Sequence, residues 1–493
     1  MASVSARKYL AIVTIIIVCG CNQQTSDESQ TAVSQPDQPM NCLYIVLDAF
    51  RASKSSLYGY PESTTPYLEK WSKQGVVFEN VTSQFTSTTG SSWSYLNGLY
   101  PYRTSSFYPM REIDVPMAEL FKKAGYRTGG FSDNPFITET QRTNKGFTHF
   151  EYHKFDEPVL DESNKLVKNP GKPERSKFLF GRLEQWIQND EPGPWFAYCH
   201  TLRPHNPYAV PEPYLSRFAD TSIVPDGEDN QDFFVAYEKE FFPRLFVERW
   251  TPANIDQLAI LHRVYLSGLA YIDSLVDTLL TSLKNAGQLD NTFIIITSDH
   301  GEGFGEHKRV LHGGPPHREQ NHVPLIVIPP PGMNIEPARA STPIELIDIL
   351  PTLNEIFELN DANVRHGQSL KPLLMNHEGY ESKAIFSQSP EELAVILDEY
   401  KLILKIQLGD KLAERQNNNA SEPKASADNR SPIDPDKFKH IVKYQNDKKK
   451  ESLPPRLYNI RDDPDEINNL YPKPQIVSKL FALAIQYLNI QSG

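Results

Sequence analysis

Cysteine is scarce in this chain, which holds four among 493 residues. Beyond the N-terminal apolar run only Cys42 and Cys199 are left, and each lies in an apolar, strand-like segment. This small number excludes a disulfide-rich scaffold and indicates two small core residues that form no disulfide. Neither cysteine has the exposed, charged setting of a catalytic thiol, so thiol chemistry is not expected.

Basic residues are fewer than acidic ones. The chain carries 62 acidic and 50 basic residues, with a net charge of −12 and a pI near 5.6. No basic block suggests nucleic-acid binding, and an acidic surface does not attract a polyanion, so no nucleic-acid partner is expected. An anionic substrate must therefore be met by a local site, such as a bound metal.

The N-terminal apolar run, residues 9–18, is too short for a comfortable membrane span. Two basic residues precede it, which is the pattern of an export signal. It ends in Val-Cys-Gly-Cys21, similar to the lipobox of bacterial lipoproteins, so Cys21 is expected to be lipidated and to anchor the chain to a membrane. An ordinary signal peptide with incidental cysteines is the alternative. We predict a lipoprotein signal peptide over 1–21 and a flexible tether over 22–40.

Apolar runs and helix-like segments alternate after residue 40. Candidate strands are 42–47, 127–131, 195–200, 292–297 and 323–328, and candidate helices are 61–74, 91–99, 118–124, 178–188, 258–286 and 344–357. This alternation implies an α/β domain on a largely parallel sheet. Short strand candidates then cluster between 384 and 406, and a helix is expected at 474–488. We predict a first domain over 41–378 and a smaller α+β subdomain over 379–493, with a polar insertion at 409–450.

Polar residues stand at the ends of two candidate strands. Asp48 closes the run 42–47, and Asp299 and His300 follow the run 292–297. In an open α/β sheet, ligands gather outside the carboxyl ends of the strands, and an acid after such an apolar run is costly to bury without a purpose. Carboxylate and imidazole together suit Zn²⁺, Mn²⁺ or Mg²⁺. These three residues are the candidate metal ligands.

Further histidines and a hydroxyl-rich segment are candidates for the rest of such a site. His205 lies between two prolines that hold its imidazole rigidly, and His312 lies in a loop. His200, at a strand end, is as readily a satisfied core histidine. With a metal, these imidazoles form the set expected for metal-assisted ester hydrolysis. The segment 86–94 runs into a candidate helix, whose N-terminus favours an anion, although helix capping alone also explains it.

Longer motifs extend over most of the chain after residue 40. They are Tyr44-Ile-Val-Leu-Asp48-Ala-Phe-Arg51, Leu57-Tyr58-Gly59-Tyr60, Asn97-Gly98-Leu99-Tyr100-Pro101, Thr297-Ser-Asp299-His300-Gly301-Glu302, Leu346-Ile-Asp348-Ile-Leu350-Pro351-Thr352 and Leu457-Tyr458-Asn459. The combination resembles the sulfatase family of the alkaline phosphatase superfamily. The resemblance implies an alkaline-phosphatase-like α/β/α sandwich with a large mixed, mostly parallel sheet, plus a small C-terminal antiparallel sheet and helix. It also implies a metal-dependent ester hydrolase whose catalytic domain spans 41–378.

The nucleophile motif departs from the family pattern, which is Cys or Ser, any residue, Pro, any residue, Arg. In that pattern the Cys or Ser becomes formylglycine. Counting back from Gly98, the register puts Thr88 at the nucleophile, Gly90 at the Pro and Ser92 at the Arg. A second acidic position of the first strand is occupied by Ala49. Threonine does not become formylglycine by the usual route, so the chemistry implied by the resemblance has to change.

The resemblance then implies a metal-bound Thr88 alkoxide that attacks a phosphorus ester. A sulfated threonine cannot collapse to an aldehyde as formylglycine hydrate does, whereas a phosphorylated threonine can be hydrolysed by attack at phosphorus. His205 and His312 are expected to bind substrate oxygens or to protonate the leaving group. The expected ligands of a divalent cation, one of Ca²⁺, Mg²⁺, Mn²⁺ or Zn²⁺, are Asp48, Thr88, Asp299 and His300.

The expected function is hydrolysis of phospho- or sulfo-esters outside the cytoplasm, with phosphodiester or phosphonate-type esters preferred on mechanism. Glycans or envelope polymers are the expected anionic partners, and the anchor at Cys21 places the protein on the periplasmic or cell-surface side of a bacterial envelope. Two alternatives stay open. One is a sulfuric ester hydrolase that acts on sulfated glycans, and the other is a catalytically inactive, lipid-anchored binding protein.

Overall fold

The first strand, β1 (Asn41–Leu47), is apolar on both of its faces. In this computed structural model, Leu43 and Ile45 pack into one hydrophobic cluster, while Cys42 and Tyr44 pack into another on the opposite face. A strand that is buried on both faces must lie inside a sheet with helices on either side. The result is the predicted three-layer α/β/α arrangement.

The structure describes residues 39–101, 109–153, 159–160, 166–167, 172–189, 191–248, 250–375, 379–406 and 454–492. The predicted signal peptide with Cys21 and the polar insertion 409–450 lie outside these residues, as does the predicted tether except for its last two residues. No helix in the described ranges combines the length and the apolar character that a bilayer crossing requires.

The chain order alternates strands and helices through the first 350 or so residues. The strands after β1 are β2 Val76–Thr82, β3 Arg127–Ser132, β4 His149–Tyr152, β5 Val159–Leu160, β6 Leu166–Val167, β7 Trp195–Thr201, β8 Thr292–Thr297, β9 Gly303–Phe304, β10 Val310–Leu311, β11 His322–Ile328, β12 Ala338–Ala340, β13 Ile344–Glu345, β14 Ile385–Gln388, β15 Glu392–Leu397, β16 Tyr400–Lys405 and β17 Arg456–Asn459. The α-helices are α1 Pro66–Ser72, α2 Thr88–Asn97, α3 Met117–Lys123, α4 Lys172–Ile187, α5 Tyr214–Phe218, α6 Asn230–Glu248, α7 Pro252–Asn285, α8 Arg318–Asn321, α9 Ile349–Ile356, α10 Lys371–Leu374 and α11 Pro474–Ser492.

Within the described residues, nine strands form the large sheet. Their order is β12-β2-β11-β8-β1-β7-β3-β4, with β13 also beside β2. The strands β8, β1, β7, β3 and β4 are parallel neighbours, whereas β11 runs antiparallel to both β8 and β2. The sheet is therefore mixed and mostly parallel, as predicted. Because β1 lies between β7 and β8, the carboxyl ends of these three strands meet at one edge of the sheet.

A second, antiparallel sheet holds β14 to β17, and α11 packs against it. Leu393 of the sheet shares a hydrophobic cluster with Leu480 and Tyr487 of α11 and with Tyr100 of the α/β layer. The predicted small C-terminal sheet and helix are thereby confirmed. The strand β17 joins the sheet from beyond the insertion, which the local sequence pattern does not indicate. The domain boundary near residue 378 stays a prediction.

Two local elements differ from the sequence-based expectation. The pattern predicts one helix over 344–357, but Ile344–Glu345 first pairs with β2 and α9 begins only at Ile349. The Glu345 N–H donates to Asp348 Oδ2 at 2.9 Å, part of a capping box that starts the helical turn there. The strand β2 is not predicted because polar residues interrupt its apolar pattern. The two cysteines, in contrast, are both buried and free, as predicted.

A buried ion pair joins the small sheet to the loop that follows β17. Lys401 Nζ on β16 donates to Glu466 Oε1 at 2.6 Å, and Glu466 Oε2 lies 2.6 Å from His317 Nδ1. The Lys401 and Glu466 side chains are only 2% and 1% exposed. Burial by itself would raise the pKa of Glu466, but the facing ammonium of Lys401 outweighs burial and the pKa falls to about 2.

Lys401→Met is expected to lower the free energy of unfolding by about 3–5 kcal/mol at pH 7, because Glu466 then stays buried without its cation. Urea unfolding measures the loss. Since the folded-state pKa of Glu466 is lowered, the pair stabilises the protein above the ordinary pKa of a glutamate and loses its effect as the pH falls toward 2. The double variant Lys401→Met/Glu466→Gln should recover most of the loss. A single variant as stable as the wild type contradicts the prediction.

Candidate metal centre and active site

Three of the predicted metal ligands meet at the edge where β1 and β8 end. One ligand atom from each of Asp48, Asp299 and His300 lies within 4.8 Å of the others. His300 Nε2 is 3.5 Å from Asp48 Oδ1 and 3.4 Å from Asp299 Oδ2, and all three side chains are fully buried. Because Val46 pairs with Thr297 across parallel strands, the residues that follow the two strands arrive at the same place.

Unpaired buried atoms indicate what this cluster can hold. Asp48 Oδ1 and Asp299 Oδ2 are buried and make no hydrogen bond to any residue that the structure describes, although buried polar atoms are nearly always paired. Burial by itself would raise the pKa of Asp48, but neighbouring imidazoles, His205 and His200 foremost, lower it well below its ordinary value. One oxygen from each of the two carboxyl groups also lies within 4.8 Å of the His300 nitrogen and of the other oxygen, which is close enough for a cation to lie between them. Carboxylate oxygens and an imidazole nitrogen therefore fit a divalent metal ion.

Backbone contacts turn the ligand atoms toward the cluster. Asp299 Oδ1 accepts hydrogen bonds from Ala49 N at 3.1 Å and His300 N at 2.9 Å, which leaves Oδ2 free to bind a cation. His300 Nδ1 lies 2.8 Å from Gly301 O and donates to it, so Nε2 keeps its lone pair. Gly301 has no room for a side chain, because a Cβ there would lie 2.1 Å from Glu319 O.

The predicted nucleophile lies at the start of α2. The helix begins at Thr88, three residues before the predicted start at 91, so Thr88 is in the first turn. Thr88 Oγ1 is 3.2 Å from His300 Nε2, and the residue is 4% exposed. At Gly90 a Cβ would lie 2.4 Å from the Phe85 ring. Only glycine fits at this position, where the family pattern has proline.

Two further histidines extend the site away from the carboxylates. The His312 ring centroid is 4.3 Å from that of His300 and 4.8 Å from that of His205. Burial by itself would lower the pKa of His312, but the Glu302 carboxylate, 3.2 Å from Nδ1, outweighs burial and raises it. Burial lowers the pKa of His205 below its ordinary value. The surroundings thus shift the pKa values of the two imidazoles in opposite directions.

The loop that carries His312 is tied to the segment before α2. Thr86 Oγ1 donates to Gly314 O at 3.0 Å, and Gly313 N donates to Thr86 O at 2.6 Å. These two bonds hold His312 beside the turn that presents Thr88, although more than 200 residues separate them in sequence.

The structure brings together every predicted site residue, namely Asp48, Thr88, His205, Asp299, His300 and His312. It adds residues that the sequence-based reasoning left aside. Asn134 Nδ2, just after β3, donates to Asp48 Oδ2, and His200, near the end of β7, has Nε2 at 3.7 Å from the same oxygen. Both stand at strand ends, so the rule that selects Asp48 could have found them once the strand order was known.

Comparison with known proteins identifies the family. The model of the family described as Sulfatase matches residues 40–359. The chain belongs to the sulfatase family. Among curated proteins of this family, an ulvan-active sulfatase of Formosa agariphila is 25% identical over 398 residues, which cover 75% of this chain and 72% of that protein.

Solved structures share the fold of this sulfatase-family chain. The phosphonate monoester hydrolase of Agrobacterium radiobacter superposes with a TM-score of 0.64 and 20% identity, over 92% of this chain and 95% of that one. A protein solved in complex with its substrate D-glucosamine-2-N,6-O-disulfate also has a TM-score of 0.64, with 17% identity, over 92% and 98% of the two chains. At these identities the likeness establishes the fold alone, and it confirms the predicted alkaline-phosphatase-like architecture.

Membership in the sulfatase family makes the protein a hydrolase of ester bonds, of the class that acts on sulfate, phosphate or phosphonate esters. Enzymes of this family depend on a metal, and the buried cluster of Asp48, Asp299 and His300 fits one. The prediction of an ester hydrolase is therefore confirmed, and the buried cluster is one that could hold the metal ion on which the family depends.

Proposed function

We propose that the protein hydrolyses a phosphate diester or a phosphonate ester, with the Thr88 hydroxyl as nucleophile. The observation that carries this proposal is the 3.2 Å separation between Thr88 Oγ1 and His300 Nε2, which puts the hydroxyl beside the candidate metal ligands. A divalent cation held by Asp48, Asp299, His300 and Thr88 would lower the pKa of the hydroxyl and offset the charge that develops on the transferred group.

The surrounding residues supply the proton transfers. Thr88 Oγ1 forms a bond to phosphorus as the bond to the leaving oxygen breaks, and His312, the imidazole with the raised pKa, donates a proton to that oxygen. His205 Nδ1 donates to Asn206 O at 2.7 Å, so Nε2 keeps a lone pair that can accept the proton of the attacking hydroxyl. Water then gives a proton to His312 and attacks phosphorus, the bond from Thr88 Oγ1 to phosphorus breaks, and Thr88 Oγ1 takes its proton back from His205.

Hydrolysis of sulfate esters on a glycan is the second candidate. The name of the ulvan-active relative and the disulfated glucosamine bound to a protein of the same fold favour it. Thr88 counts against it, because a sulfated threonine cannot release sulfate by collapsing to an aldehyde. A phosphorylated threonine, in contrast, is released by attack of water at phosphorus.

A panel of an aryl sulfate, a phosphate diester and a phosphonate ester separates the two candidates. The proposal expects turnover of the phosphorus esters and, after acid quenching, a peptide in which Thr88 carries the phosphoryl or phosphonyl group, detected by mass spectrometry. The proposed nucleophile is wrong if the wild type hydrolyses only the sulfate ester and Thr88→Ala still hydrolyses it.

Glu302→Gln is expected to move the high-pH limb of kcat/KM to lower pH. The Glu302 carboxylate holds the pKa of His312 above its ordinary value against the effect of burial, so an uncharged glutamine lets His312 lose its proton at lower pH. Because the proposed general acid acts in its protonated form, activity is lost first at the alkaline end. Rate profiles of both proteins, with metal content measured in each, check this. Identical limbs at equal metal content contradict the role of His312 as acid.

We further propose that the protein is exported and lipid-anchored through Cys21. Support comes from the basic residues before the run 9–18 and from the Val-Cys-Gly-Cys21 ending. In a bacterial host, the wild type is expected in the membrane fraction and to incorporate labelled palmitate. Cys21→Ala should abolish the label, and a wild type that takes up no label contradicts the anchor.

A further inference from the structure

His200 is a buried histidine that the proposed reaction does not use. It lies in the penultimate position of β7, which is the parallel neighbour of β1, and it is fully buried. Within the described part of the chain, its Nε2 atom has no hydrogen-bond partner. This atom is 3.7 Å from Asp48 Oδ2 and 3.8 Å from Asp299 Oδ2. An unpaired imidazole nitrogen therefore faces two of the carboxylates that are candidate metal ligands.

The two distances from His200 Nε2 to the carboxylate oxygens match those expected between ligand atoms that bind one cation. They are too long for hydrogen bonds, whereas ligand atoms about 2.1 Å from a common ion lie roughly 3.0–4.2 Å apart. His300 Nε2 stands at similar distances, 3.4 Å from the same Asp299 oxygen and 3.5 Å from the other Asp48 oxygen, Oδ1. Asp299 Oδ2, which accepts no hydrogen bond from the described residues, is thus approached by two imidazole nitrogens.

The other nitrogen of His200 is held by tyrosines. Nδ1 lies 3.0 Å from Tyr198 Oη, and Tyr198 Oη lies 2.8 Å from Tyr95 Oη. When His200 Nδ1–H donates to Tyr198 and Tyr198 donates to Tyr95, Nε2 keeps its lone pair. A polar partner on the far nitrogen is the usual way in which a metal-binding histidine is oriented.

We propose that His200 Nε2 is a protein ligand of the same cation, beside Asp48, Asp299 and His300. This rests on the metal site of the proposed function and deepens it. Two imidazoles and two carboxylates favour Zn²⁺ or Mn²⁺ over Ca²⁺ and Mg²⁺, which prefer oxygen ligands. The site is therefore assigned to a transition-metal ion of this kind rather than to an alkaline-earth ion.

Pulsed electron paramagnetic resonance of the Mn²⁺-loaded, full-length protein tests the assignment, because it counts the imidazole nitrogens bound to the ion. Two are expected in the wild type, one in His200→Gln and one in His300→Gln. His205→Gln and His312→Gln are the matched controls and should retain two. Calorimetric titration with Zn²⁺ should show at least ~10-fold weaker binding in His200→Gln than in the wild type.

The outcomes separate this assignment from the metal site itself. A wild type that binds Mn²⁺ through a single imidazole overturns the role of His200 and leaves the metal site standing. Two imidazoles that persist in His200→Gln also overturn it. A wild type that binds neither Mn²⁺ nor Zn²⁺ removes the metal site of the proposed function as well. If His200→Gln fails to fold, the other three proteins decide. Two Mn²⁺-bound imidazoles in the wild type and in both control variants support the assignment. A single Mn²⁺-bound imidazole in the wild type contradicts it.

Discussion

Replacing Thr88 by alanine is expected to lower kcat on a phosphate diester or phosphonate ester by at least ~10⁴-fold, because loss of the nucleophile removes the covalent step. Substrate binding should change little, since the other candidate ligands and the two site histidines remain. Thr88→Ser keeps a hydroxyl at the same position and should retain a large part of the rate. Steady-state and single-turnover kinetics on the same substrate measure both effects.

Ser87→Ala is the matched control for this experiment. Ser87 immediately precedes Thr88, and its hydroxyl is buried without a hydrogen-bond partner among the described residues. The Thr88 hydroxyl, in contrast, contacts His300 Nε2. The control should therefore keep near wild-type kcat. An inactive Ser87→Ala together with an active Thr88→Ala would move the nucleophile by one residue.

Asp299→Asn is expected to lose the bound metal and, with it, at least ~10³-fold in kcat. The substitution keeps the shape of the side chain but removes one of the two anionic charges that face the candidate cation. Metal analysis after dialysis should find close to one ion per chain in the wild type and almost none in the variant.

Asp273→Asn serves as the control for the loss of a buried carboxylate. Asp273 lies on α7 and accepts hydrogen bonds from Leu68 N at 2.7 Å and Tyr67 N at 2.9 Å, away from the strand ends that form the site. This variant should lose stability but keep its metal. A wild type that holds no metal after exposure to Zn²⁺, Mn²⁺, Ca²⁺ and Mg²⁺ contradicts the proposed chemistry and favours an inactive binding protein.

Much of the fold is predictable because its strands and helices have strong local patterns. The β8 run is apolar over its whole length, and its bounds, Thr292–Thr297, are those expected from the sequence. The helix α7 keeps its apolar periodicity for 34 residues and begins at a Thr251 cap followed by proline. The α9 region is less predictable, because pairing of β13 with a distant strand overrides the helical pattern of residues 344–357.

The candidate site is predictable only in part. Asp48, Asp299 and His300 follow apolar runs, and parallel strands direct such residues to one edge, so their role as ligands is a reasonable expectation from the sequence. His200 carries no comparable signal, because a strand-end histidine is as readily a core residue. Its unpaired nitrogen and its distances to two carboxylates appear only when β7 is placed beside β1.

By itself the sequence determined the α/β class, the family motifs and the threonine that aligns with the nucleophile of the family pattern, because these depend on residue type and on short-range spacing. The tertiary structure alone decided which side chains share the site. The strand order puts β1 between β7 and β8, and the Thr86–Gly314 contact brings the His312 loop to α2. Such proximity depends on packing between segments more than 100 residues apart, which local sequence patterns do not encode.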